Sequence, residues 1–262
     1  MTGSLSAAIA GALLTGEPQA KAMRVRALVR AWRTGALAWD WATPMPDRPA
    51  LPPGLQLLSP AQMPRRRGGS EASRIALWHS LAHIEFVAID LALDAAGRFG
   101  EAQGPEFVDD FLSVAADEAM HWALIARKLR TAGSHYGALP AHDGLWEAAE
   151  ATRRDVAARL AVVPMVLEAR GLDVNPAMHD RVLTSGDQHG ARILRRLLDD
   201  EIRHVAAGAK HFAQVAASRG ESYENYWEIL VRQYCHGTLK PPFNDSARQA
   251  AGLPRSVYTA LA

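Results

Sequence analysis

The chain has 262 residues, 48% hydrophobic and 22% charged, with a net charge of +1. That is enough apolar chain for a sizeable core, and too even a charge to favour nucleic acid or an anionic membrane. Its one cysteine, Cys235, excludes an internal disulfide framework and points to a reducing, cytoplasmic setting, with the thiol read as a buried small apolar group.

Residues 1–41 read as an N-terminal helical extension, one or two helices over 3–39 broken near Gly16-Glu17-Pro18. The start, L-S-A-A-I-A-G-A-L-L-T-G, lacks a basic segment before it and reads as a first helix rather than a signal peptide. Lys21, Arg24, Arg26, Arg30 and Arg33 are expected to form a solvated helix face rather than an anion site. Residues 42–69 hold Pro44, Pro46, Pro49, Pro52, Pro53, Pro60 and Pro64, then Arg65-Arg66-Arg67-Gly68-Gly69. This composition predicts an extended arm across a domain surface, with a nucleic-acid contact by the arginines the lesser reading.

Four long helices are predicted over 70–219. The first starts at Ser70 as N-cap and runs to about Ala96, stopped by Gly97 and Gly100. The second spans 105–132, closed by Gly133. A connection through His135, Tyr136, Pro140, His142, Asp143 and Gly144 leads to a third helix, Leu145 to Arg170, kinked by Pro164 and ended by Gly171. A short helix is expected from Pro176, then the fourth long helix over 187–219, stopped by Gly220. Residues 220–262 read as a C-terminal extension: an aromatic-rich helix over 221–239, the tail Lys240-Pro241-Pro242-Phe243-Asn244, and a last short helix. No run reaches the roughly 18 apolar residues of a membrane span. The expectation is one all-α domain, a four-helix bundle of two hairpins joined by a crossover, with helical extensions at both ends.

The chemistry lies in a repeat. Glu118 and His121 form a Glu-x-x-His, as do Glu201 and His204. Glu85 stands 33 residues before Glu118 and Glu168 stands 33 before Glu201 (118 − 85 and 201 − 168), so one offset relates the two sets. Residues three apart share a helix face, so each pair can reach one metal ion. One Glu from each of two helices, with a Glu-x-x-His from each of the other two, is the ligand set of a carboxylate-bridged dimetal centre. Four carboxylates offset two divalent cations. The oxygen-rich set favours iron, with manganese also suited, over a Cys-preferring structural zinc. A lone Glu-x-x-His usually just faces water, but these carboxylates sit on apolar stripes, where charge is costly unless paired or bound to metal.

His79 and His83 have metal-like i, i+4 spacing, yet on an ideal helix they point about 100° or more from Glu85. They read as hydrogen-bonded packing histidines. His135, His142 and Asp143 fit loop bonding better than a site mouth. Tyr136, Trp122, Tyr226, Trp227 and Tyr234 read as packing aromatics rather than an electron path.

These residues resemble the ferritin-like dimetal carboxylate superfamily, in whose oxygen-activating members an Asp often precedes the Glu-x-x-His. Asp117 and Asp200 stand in that place, and Asp200-Glu201-Ile202-Arg203-His204 matches the fuller D-E-x-R-H form; Met120 departs from it in the first half. The resemblance implies that Asp117 and Asp200 support His ligands, Asp117 that of the second half and Asp200 that of the first. More narrowly, the chain is similar to an uncharacterised bacterial family of ferritin-like proteins. The likeness is carried by W-H-S-L-A-H-I-E-F-V-A-I-D-L-A-L-D (78–94), Y-G-A-L-P-A-H-D-G-L-W (136–146), M-V-L-E-A-R-G-L-D-V-N-P (165–176), D-D-E-I-R-H-V-A-A-G (199–208) and P-P-F-N (241–244). A more distant likeness is to tRNA-modifying di-iron hydroxylases.

The function expected is an oxygen-dependent oxidoreductase with two metal ions per chain, O₂ as co-substrate and an electron-donor protein. Its own substrate, small molecule or macromolecule, is left open by the ligands. The chain should be a monomer or homodimer with no membrane or nucleic-acid partner. Alternatives are an iron-storage protein, which the arm and extensions disfavour, and a tRNA-modifying hydroxylase, which the near-zero charge disfavours.

Overall fold

A computed structural model describes residues 3–64, 70–235 and 239–261. The Arg65–Arg67 run lies outside them. Among the described residues the regular structure is helical apart from two short parallel strands, β1 (Gly3–Ser4) and β2 (Leu37–Ala38), and a bridge between Leu57 and Ala141. It folds as two compact units, Met1–Trp146 and Glu147–Ala262.

In the first unit, α1 (Leu5–Leu13) and α2 (Pro18–Arg33) pack on a hairpin of α3 (Glu71–Gln103) and α4 (Pro105–Thr131). The apolar start does form a helix, with Leu5, Ile9 and Leu13 fully buried. Glu17 caps α2, its carboxylate accepting from Gln19 N, and Pro18 occupies the first turn, where a missing N–H costs nothing. Ser70 caps α3 as the sequence predicts, its Oγ accepting from Ser73 N at 3.3 Å.

Gly97 and Gly100 do not stop α3, which runs on to Gln103. Their role is close approach. A Cβ on Gly97 would overlap Met45 Sδ, and one on Gly100 would come within 2.5 Å of Val108 Cγ2 and 2.7 Å of Trp41. The helix stops instead at Gly104, whose φ of +91° favours glycine, and Pro105 opens α4. The start of the proline-rich arm and the residue before it therefore lie on α3, through Met45 and Trp41. The arm is irregular but for a 3₁₀ turn at Pro60–Gln62 and the bridge, where Leu58 N donates to Ala141 O at 2.8 Å. An 18-residue window of α3 is apolar enough to cross a membrane, against the sequence expectation, but 78% of it is buried in the protein, as in a core helix.

The chain passes into the second unit through α5 (Gly144–Ala151). The single third helix expected there is broken into pieces. Asp155 caps α6 (Val156–Val162), its carboxylate accepting from Ala157 N at 2.9 Å. A π-helical segment, Val163–Glu168, follows, and then α7 (Ala169–Thr184). Pro164 lies in the first turn of the π segment. The ring cannot donate and crowds the carbonyl one turn back, and the wider π turn accommodates both effects.

Neither Gly171 nor Pro176 ends α7. Gly171 faces α8 (Gln188–Ser218), where a Cβ would sit 3.6 Å from Glu201 Cγ. Pro176 has no N–H for the carbonyl of Leu172, and Asn244 Nδ2 donates to that carbonyl at 3.1 Å instead. A long-range side chain thus closes the gap in the helix ladder. Asp187 caps α8 through Gly190 N at 2.8 Å. The aromatic-rich helix is shorter than expected, α9 (Tyr223–Tyr234), and packs on α6 and α8. Two short helices follow rather than one: α10 (Asp245–Ala250), against α7 and α8, and α11 (Arg255–Thr259), against α9.

Candidate metal centre

In the first unit α3 contributes Glu85 and α4 contributes Glu118 and His121. All three are buried, and their ligand atoms lie within 4.8 Å of one another. His121 Nδ1 is 3.1 Å from Glu85 Oε2 and 3.3 Å from Glu118 Oε2. The sequence-predicted triad of this half is therefore one cluster. Burial and the neighbouring Glu118 carboxylate push Glu85 well above the usual carboxylate range, against the pull of His121. Two buried carboxylates and an imidazole nitrogen converging on one point are a donor set that a divalent cation would satisfy.

In the second unit, His204 Nδ1 lies 3.4 Å from Glu201 Oε2, so both Glu-x-x-His pairs turn the same ring nitrogen towards their own glutamate. His204 is buried and Glu201 half-buried. Glu168, also half-buried, ends the π segment, and Gly171 one turn later stands beside Glu201. Asp200 is buried and accepts from Arg196 Nε and Arg203 Nη2, so the arginine of the D-E-x-R-H segment braces the aspartate beside it. Asp117 is half-buried on α4.

The histidines expected to pack do so. His79 Nε2 accepts from Gly137 N at 3.0 Å and Leu139 N at 3.3 Å, which pins the loop after α4 to α3. His83 Nε2 donates to His142 O at 2.9 Å, so its Nδ1 accepts from the Tyr136 hydroxyl at 2.9 Å. Burial pushes His83 down, in keeping with a neutral ring. His142 Nδ1 accepts from Gly144 N, and Asp143 pairs with Arg48 of the arm. Tyr136 packs among the rings of His79, His83, Phe86 and Trp122. Trp227 is fully buried and Tyr226 stacks on Phe212.

Buried ion pairs escaped the sequence. Lys21 is not on a solvated face: it is fully buried, donates to Asp90 Oδ1 at 2.5 Å and lies 4.7 Å from the centre of the Phe86 ring. Arg24, Arg26, Arg30 and Arg33 are exposed as expected. The only hint was Lys21 at the foot of a helix whose apolar positions Ala22, Val25, Leu28 and Val29 face inward.

The comparisons give kinship without an activity. An uncharacterised protein of Haemophilus influenzae is 39% identical over 215 residues, covering 80% of this chain and 75% of the relative. No solved structure matches. A family model described as a protein of unknown function (DUF455) matches residues 14–259, and the chain belongs to that family.

Proposed function

We propose that the α3–α4 and α7–α8 hairpins are the two halves of a ferritin-like bundle, and that the protein is an oxygen-dependent oxidoreductase with a dimetal centre. Glu85, Glu118 and His121 would hold one half of the ligand set, and Glu168, Glu201 and His204 the other, with iron favoured and manganese suited. The observation that carries the reading is the buried convergence of Glu85, Glu118 and His121. The matching distances of His121 and His204 to their glutamates support it, as does the shared 33-residue spacing.

When bound, two reduced metals supply two electrons to O₂. The chain's own part is to hold four carboxylates and two imidazoles in register. The helical i, i+3 spacing does this for each Glu-x-x-His, and burial keeps bulk water from the first cluster. Glu168 sits where a π turn meets an α-helix, a place where helices often carry functional side chains.

Elemental analysis of iron- or manganese-reconstituted protein tests the ligand set, with about two ions per chain expected from six ligands. Graded addition of ferrous iron under O₂, read with light scattering, then separates enzyme from store. Oxygen consumption that halts at about two irons per chain in a monomer or dimer supports the proposal. Less than about half an ion per chain, or mineral growth in a large shell, overturns it.

A further inference from the structure

The turn that carries Glu168 into α7 is gripped by the C-terminal segment. Arg170 Nη1 donates to Lys240 O at 2.6 Å and to Pro242 O at 3.2 Å. Asn244 donates its side-chain amide to Leu172 O and its backbone N–H to Asp173 Oδ1, at 3.1 and 3.0 Å. Arg248 makes a two-pronged bond to Asp173, Nε to Oδ1 at 2.8 Å and Nη2 to Oδ2 at 2.7 Å, with both side chains almost wholly buried. The Arg248 guanidinium lies over the rings of Phe243 (5.2 Å) and Tyr258 (4.6 Å), and the Tyr258 hydroxyl donates to Asp245 at 2.6 Å.

These contacts all fall within one and a half turns of Glu168. The same stretch meets Glu201 at Gly171. It thus begins with one proposed ligand, touches a second, and is tied to the tail at Arg170, Leu172 and Asp173. Its own backbone is poorly self-sufficient: a π segment precedes it, and Pro176 leaves the Leu172 carbonyl to be satisfied from outside. Withdrawing the tail would leave that carbonyl open and take the buried two-pronged guanidinium of Arg248 from Asp173, leaving only the half-exposed Arg170 at 3.5 Å, which is costly.

We propose that residues 240–248 form a positioning clasp for Glu168, with Arg248 as its anchor. By fixing the first turn of α7, the clasp sets where the Glu168 carboxylate stands and how Glu201 is backed. Arg248 and Arg170 are positioning residues that touch no reacting group. The inference rests on the dimetal reading above.

The test compares R248K and R170A with R219A, which breaks the Arg219–Asp155 bridge elsewhere in the same unit. R170A is the milder variant, because Arg170 is 41% exposed and its loss leaves the buried Arg248–Asp173 pair in place, so it should fold even where R248K does not. Amide exchange over 168–173 is read in the metal-free protein, and iron or manganese affinity by chelator competition. Exchange in R248K and R170A should quicken, and affinity should fall about tenfold, the scale of lost ligand support. R219A should match the wild type in both. Unchanged exchange, or quicker exchange with wild-type affinity, sinks the clasp alone. A wild-type chain that takes up no metal sinks the dimetal reading and the clasp with it.

Discussion

The ring of Pro164 lies on the bare Cα of Gly208: a Cβ built on Gly208 would overlap Cβ and Cγ of the proline. The two residues lock the π segment to α8 four residues before Glu168 and four after His204. Glycine on α8 is the counterpart of proline in the π turn, because the rigid ring has no room to move aside.

Gly208→Ala should therefore destabilise the protein by about 1–3 kcal/mol, the usual cost of overpacking, even though alanine is the better helix former. Pro164→Ala in the same chain should return much of that loss, since it removes the ring. Chemical denaturation of both single variants and the double variant gives the coupling directly. Additive effects would show that the two residues do not press on each other.

Asp200→Ala should leave the fold intact, because the arginines that brace it, Arg196 and Arg203, are more than half exposed and return to water. Metal affinity should fall by about tenfold to a hundredfold, as when the groups that orient ligands are lost. Glu201→Ala should lose more, since it removes a ligand. Calorimetric titration with manganese orders the three proteins, and wild-type affinity in Asp200→Ala would remove the aspartate from the site.

Lys21 and Asp90 make a buried ion pair with side-chain exposures of 0% and 3%. Lys21→Ala leaves the Asp90 carboxylate buried without its cation and should cost about 3–5 kcal/mol. Lys21→Met with Asp90→Leu removes both charges and should be near neutral or stabilising. Urea midpoints decide, and a double variant as weak as the single would mean that the pair itself holds α2 to α3.

Burial pushes Tyr223 and Tyr258 up to about 12, and Tyr136 higher still. The folded chain then keeps protons that the unfolded chain releases near 10. Stability from this source is whole below pH 10 and is lost as the pH rises through about 12. Tyr223→Phe, which removes a buried hydroxyl with no hydrogen-bond partner among the described residues, should flatten that alkaline decline and cost little at neutral pH. Absorbance at 295 nm with thermal melts from pH 8 to 12 reads both; a Tyr223 that ionises near 10 would contradict it.

Much of this protein is local, and the sequence by itself determined that part. Helix starts at Ser70 and Pro105 follow from side-chain caps and proline geometry, which act within four residues. The i, i+3 spacing places Glu118 with His121 and Glu201 with His204, because a helix repeats every 3.6 residues wherever it is packed. Glycine was the poorest guide. Gly97, Gly100 and Gly171 read as stops, yet each lies inside a helix, the first two because Met45, Trp41 and Val108 need the space of a missing side chain. Only the tertiary structure decided such contacts between residues far apart in the chain. It set Lys21 against Asp90, tied Arg248 to Asp173, and gave the carbonyl left open by Pro176 to Asn244. The reason is common to all three. A buried charge or an unpaired carbonyl must find a partner, and no local pattern names a partner dozens of residues away.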